Sequence, residues 1–158
     1  AGDWPKTYQN PSYRNLFAIG IAFAPPHLIS KPMQSANGTP INPAPPRTGM
    51  PSAAMAIAVA KSICDMINGA EAPTHTASMA KMGAACVAST GAHLLRGSAA
   101  TMTVYPIVPD YETYPEYGRD LELTFGEIGL AGHWLKTLLH HTFIYQARLK
   151  PGWRFLPD

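Results

Sequence analysis

The sequence predicts a mixed α/β fold, and three observations carry that prediction. An apolar run, Leu16 to Ile19, stops at Gly20, as a short buried strand does. An Ala-, Met-, Ile- and Val-rich stretch from Met50 to Ile67 reads as a helix. Two β-prone stretches, Met82–Gly91 and Ala99–Ile107, flank a polar turn around Arg96-Gly97 and read as a hairpin.

In chain order, residues 1–14 read as a loop anchored by Trp4 and Tyr8, leading into a strand near 15–20. Residues 22–46 contain Pro25, Pro26, Pro32, Pro40, Pro43, Pro45 and Pro46 and read as an extended connection without regular structure. Connections of that length in compact domains tend to be functional or disordered, so this one is either a surface loop or a loop draped over a ligand. The helix begins near Met50, with Pro51 suited to its first turn and Thr48 or Ser52 as caps. It stops at Asn68-Gly69. Ala53, Ala54, Ala56, Ala58 and Ala60 leave little bulk, so a neighbouring helix or a flat ring can approach its backbone. Residues 70–78 form a loop, the hairpin spans about 83–107, and Asp110 to Asp120 is a Pro/Tyr/Glu loop. From Phe125 onward the tail is helical, most clearly over 130–148.

Length and composition narrow the function classes. A chain of 158 residues supports one domain with a real core, and 16 Pro with 13 Gly imply much irregular backbone. Charged residues make up 14% and the formal charge is +2, with no basic stripe interleaved with aromatics, which argues against nucleic acid. No apolar run approaches the roughly 18–20 residues of a membrane span. Residues 1–15 are polar and Pro-punctuated, unlike a signal peptide. The chain opens on Ala-Gly-Asp-Trp-Pro and holds no Gly-x-Gly-x-x-Gly turn for a pyrophosphate, so it reads as truncated.

Four features bear on chemistry. A strand ending in Gly20, beside a helix start offering free N–H groups and positive dipole, suits an anionic or electron-rich ligand. Cys64 and Cys86 lie outside metal spacing and are too few for a disulfide framework. Cys64, well inside the helix, reads as a small hydrophobe. His133, His140 and His141 fall in Gly132-His-Trp-Leu-Lys-Thr-Leu-Leu-His-His-Thr-Phe143 without a carboxylate or Cys at ligand spacing, so no metal is expected; His27, His75 and His93 read as loop residues without partners. On a 3.6 period Trp134, Leu135, Leu138, Leu139, Thr142 and Tyr145 share one side, with Lys136, Thr137, His140 and His141 opposite. With Arg148, Lys150, Trp153, Arg154 and Phe155 following, that helix suits a membrane interface, or packs on its own domain.

The motifs resemble those of one flavoprotein family. Asn15-Leu-Phe-Ala-Ile-Gly-Ile21 is similar to the terminal flavin-contacting strand of enzymes with two dinucleotide-binding domains. Most members follow the Gly with Asp, whereas this chain has Ile21; Pro25-Pro26 follow, and Pro46-Arg-Thr-Gly49 stands where Pro-Lys-Thr-Gly is usual. Met82-Gly-Ala-Ala-Cys-Val-Ala-Ser-Thr-Gly91 is similar to the segment carrying the last redox cysteine of sulfide:quinone oxidoreductases, with Ser89 and Thr90 replacing the usual Asp and Phe. The tail resembles that family's C-terminal membrane-docking helix.

The resemblance implies the C-terminal part of an FAD-dependent sulfide:quinone oxidoreductase. Residues 1–70 would carry the last strand and helix of the FAD-binding domain, and 71–158 the hairpin and the membrane- and quinone-facing helices. Gly20, Ile21, Arg47, Thr48 and Gly49 would contact FAD, Cys86 would handle sulfur, and Ala85, Leu139 and Phe143 would border the quinone. Sulfide, a membrane quinone and the membrane surface are the implied partners, a homo-oligomer is compatible, and the setting is prokaryotic-type and membrane-associated. Without a Gly-rich pyrophosphate turn, this stretch alone is expected to hold FAD poorly and to be inactive. Two other readings stand beside it. A type II NADH:quinone dehydrogenase is disfavoured by Ile21 and Cys86; a non-catalytic remnant would serve interaction or membrane anchoring.

Overall fold

A computed structural model describes residues 4–23, 32–41, 48–90 and 95–156. The fold is mixed α/β, and among these described residues it has two small sheets and two long helices. Strands β1 (Met33–Gln34) and β2 (Pro40–Ile41) pair antiparallel, Met33 opposite Ile41. Helix α1 spans Gly49–Ile67. Strands β3 (Ala84–Thr90), β4 (Ser98–Val104) and β5 (Gly126–Gly129) form the second sheet in that order, and α2 (Leu130–Ala147) follows β5 directly.

Helix α1 holds the first core together. Pro51, Met55, Ala58, Val59 and Ser62 recur at helical spacing and are its buried residues. Met55 and Val59 pack with Trp4, Tyr8, Met79, Ala84, Ile107 and Val108, so both expected N-terminal anchors belong to the core. Burial also pushes the Tyr8 phenol up to about 12. Asn68 closes the helix by donating to Cys64 O, and Gly69 turns the chain away at φ +107. By length and composition α1 is apolar enough to cross a membrane, contrary to the sequence expectation, because the two charges of its 19 residues, Lys61 and Asp65, lie near its end.

Three other expectations are corrected. The apolar run near 15–20 makes one antiparallel bridge, Phe17 with Gln9, not a regular strand. Asn10 N–H to Leu16 O (2.8 Å) and Ala18 N–H to Tyr8 O (3.0 Å) complete that short pairing, and Gly20–Ala22 then closes into a 3-10 turn. A strand needs a laddered neighbour, and here the partner is only a few residues of the preceding loop. Within the stretch expected to lack regular structure, β1 and β2 form a hairpin around Ser35, whose N–H donates to Thr39 O at 3.0 Å. The tail is not helical from Phe125, since Gly126–Gly129 first ladders with β4, Ala99 opposite Gly129 and Met102 opposite Gly126.

The chain divides into two compact units, each assembled from separated stretches. The first comprises Ala1–Ala84 and Val104–Thr124 and contains the core described above. Its loop near Asp110 is fixed by that carboxylate, which accepts from the Thr113 hydroxyl at 2.7 Å; this bond, foremost, lowers the Asp110 pKa. The second unit comprises Ala85–Thr103 and Phe125–Asp158, where α2 packs along β4 through Gly132. A Cβ at Gly132 would lie 2.5 Å from Thr101 Oγ1 and 3.2 Å from the Ala99 Cβ, so only glycine permits that approach.

Candidate functional site

In the first unit, Gly20 lies against the first turns of α1. Its φ of +58 suits glycine, its N–H donates to Met55 Sδ at 3.4 Å, and an added Cβ would sit 3.1 Å from Ser52 Oγ. Neither expected cap closes the helix. Thr48 occupies the N-cap position without a side-chain cap bond, and Ser52 Oγ instead donates to Thr48 O at 2.8 Å. The first-turn N–H groups therefore have no side-chain cap, and the buried Thr48 Oγ1 has no hydrogen-bond partner among the described residues. A Cβ at Gly49 would meet nothing within 4 Å, and Ile21 is 71% exposed. Gly20, Ile21, Thr48 and Gly49 thus gather at one helix end, where positive dipole and free donors suit an electron-rich ring edge. Arg47 falls outside the described residues, as do Pro25, Pro26, His27, Gly91 and His93.

In the second unit, Cys86 stands on β3 with its side chain exposed. Burial alternates along β4 from Ala99 to Met102, as a two-residue period requires, while Ala85 and Cys86 of β3 are both exposed. Ala99 is buried on the side that meets α2, whereas Ala100, Met102 and Ile128 are exposed on the other. Cys64, expected to act as a small hydrophobe within the helix, is also exposed: it projects from the solvent side of α1, beside Ile63 and Asp65. Of the positions expected near a quinone, Ala85 is exposed, Leu139 is 37% exposed and Phe143 is 54% exposed.

Helix α2 carries more open apolar surface than its sequence period implies. Trp134, Leu135, Leu138 and Leu139 are exposed as a stripe, and Phe143 and Ile144 add exposed area beyond it. His133 alone on this helix is buried, its ring lying where a Cβ on Gly97 would fall 2.7 Å from it. Among the described residues, His133 Nδ1 and Thr101 Oγ1 are buried without partners. His75, expected to have no partner, accepts none of that description: its Nε2 lies 3.2 Å from Asp65 Oδ2, and its N–H donates to Ser62 Oγ at 3.0 Å. The sequence reading missed Met55 and Ser62, and gave Ser52 only a capping role, because their contacts lie 32 or more residues away for Gly20 and 13 for His75.

No family model matches the chain, and no solved structure matches it. Among curated proteins it is 29% identical over 143 residues to a sulfide-quinone reductase of Aquifex aeolicus (strain VF5). The match covers 90% of this chain and 27% of that protein, so the chain spans about a quarter of its relative's length. The relationship to the sulfide-quinone reductases is therefore distant, and it runs through most of the present chain.

Proposed function

We infer that the chain is a C-terminal portion of a flavin-dependent sulfide:quinone oxidoreductase. The observation that carries this reading is the relationship to a sulfide-quinone reductase over 90% of the chain. The local chemistry agrees with it. FAD, when bound, would accept the two electrons released as sulfide reaches the zero-valent level and deliver them to a membrane quinone. Gly20 and Ile21 would let the ring approach closely, while the uncapped N–H groups at Thr48 and Gly49 would favour negative charge at its edge. The unpartnered Thr48 Oγ1 fits such a group, since a buried hydroxyl without a partner is costly. Arg47 would add a full positive charge.

Cys86 would hold the sulfur. Its thiol is exposed, and as a thiolate it is a soft nucleophile able to carry a persulfide. Ala85, Leu139 and Phe143 would border the quinone, and the exposed apolar residues of α2 would rest in the membrane interface.

The test is a chimera in which the matching segment of the Aquifex reductase is replaced by this chain. It should retain bound flavin, and sulfide should bleach that flavin. Cys86→Ser should abolish bleaching while leaving flavin content unchanged, and Cys64→Ser should leave both intact. Bleaching of the Cys86→Ser protein at the unsubstituted rate would show that this thiol takes no part.

A further inference from the structure

A groove lies between the middle of α1, from Ala54 to Lys61, and residues 75–82. It is an open groove, with a volume of about 460 Å³. Ala54, Ile57, Ala58 and Met82 supply apolar lining, and Lys61 and Lys81 supply two positive charges. Ala54, Ile57, Ala58 and Lys61 follow one another at helical spacing, which places them on a single face.

The charges in this groove are unmatched. Among the described residues no carboxylate lines it, and neither lysine forms an ion pair. Asp65, one turn beyond Lys61 and the natural partner at that spacing, is engaged elsewhere. It accepts from the Thr74 hydroxyl and lies 3.2 Å from His75 Nε2. Two exposed lysines border the same groove as its apolar lining, and Asp65 is held by Thr74 and His75, so the groove suits an anion that brings its own apolar part.

The groove is also pre-formed. Its non-helical wall is pinned along its length: Ser62 Oγ accepts from His75 N–H (3.0 Å) and donates to His75 O (3.3 Å). Ala77 N–H donates to Lys6 O at 2.9 Å, and Ala77 O accepts from the Tyr8 hydroxyl. Val108 N–H and Ile107 N–H donate to Met79 O (2.9 Å) and Met82 O (3.0 Å). A ligand would therefore meet a wall that needs no ordering on binding.

We propose that this groove binds a small amphiphilic anion, a medium-chain carboxylate, with its head between Lys61 and Lys81 and its chain along Ala54, Ile57, Ala58 and Met82. The site stands independently of the flavoprotein reading. An inorganic anion would satisfy the lysines and leave the apolar lining wet; a neutral amphiphile would do the reverse.

Decanoate titrated into the 158-residue chain, followed by methyl and amide NMR shifts, tests this. Saturable binding is expected, with shifts at Ala54, Ile57, Ala58 and Met82. Decanol and inorganic phosphate should each bind about tenfold more weakly or worse. Paired Lys61→Gln and Lys81→Gln substitutions should weaken decanoate about tenfold, whereas Lys61→Arg with Lys81→Arg should retain it. Because both lysines are exposed, these variants should fold normally, as circular dichroism would show. Equal affinity for decanol, undiminished decanoate binding by the Gln pair, or shifts confined to α2 would each overturn the proposal.

Discussion

Gly20 shows how much one residue decides and how little of that is visible in sequence. Its place at the end of an apolar run marked it as a breaker, but not the sign of its φ, which is +58 because the chain turns there into a 3-10 segment over α1. Two separate costs would fall on a side chain here. The left-handed backbone costs an L-residue about 1–2 kcal/mol, and a Cβ would press to 3.1 Å of Ser52 Oγ. Gly20→Ala should therefore lower unfolding stability by more than the roughly 1–2 kcal/mol of the backbone strain alone, as read by urea titration. Adding Ser52→Ala should recover only part of that loss, since it relieves the contact and leaves the backbone strained. Full recovery would mean the contact alone matters. Thr48 makes the same point about legibility: its cap position was readable, but Ser52 Oγ bonding back to Thr48 O depends on a rotamer that sequence does not specify.

At the scale of elements, strong local patterns survived folding and weak ones did not. Helix α1, the β3–β4 pair and α2 all have long stretches of consistent period or propensity, and each lies where its pattern placed it. Strand β5 is Gly-Glu-Ile-Gly, a sequence with little strand preference, and it is extended because β4 offers a ladder from Ala99 to Met102. Strands β1 and β2 are two residues each and exist through a turn around Ser35. Long-range side-chain bonds set other elements in place. Ser62, fully buried on α1, ties that helix to His75 through two bonds to its backbone. Ser62→Ala would leave the His75 N–H and carbonyl without these partners, so a loss of about 1–3 kcal/mol is expected by denaturant unfolding. Amide exchange at His75 should quicken in step. An unchanged stability would mean solvent reaches that backbone readily.

Across the whole molecule, the two compact units are each built from stretches separated in sequence, which a reading along the chain does not reveal because the contacts that define them are non-local. The candidate residues divide accordingly, with Gly20, Ile21, Thr48 and Gly49 in the first unit and Ala85, Cys86, Leu139 and Phe143 in the second. The second unit is where the exposed apolar surface of α2 lies. The sequence period named the stripe from Trp134 to Tyr145, but whether that stripe packs inward depends on a partner surface, and in this fold it stays open. Arg148, Lys150 and Arg154 follow it, the arrangement that places apolar side chains below a lipid headgroup layer and cations within it. The chain should therefore float with vesicles containing anionic lipid, and more weakly as salt rises. Each exposed leucine taken into the interface contributes on the order of 1.5 kcal/mol, so Leu135→Gln with Leu138→Gln should lower the bound fraction's partition constant by about a hundredfold. Both positions are exposed, at 46% and 63%, so the pair should leave the helical circular-dichroism signal unchanged. Flotation equal to that of the unsubstituted chain would show that α2 does not face the bilayer, and would remove the membrane contact from the functional reading while leaving the Cys86 test untouched.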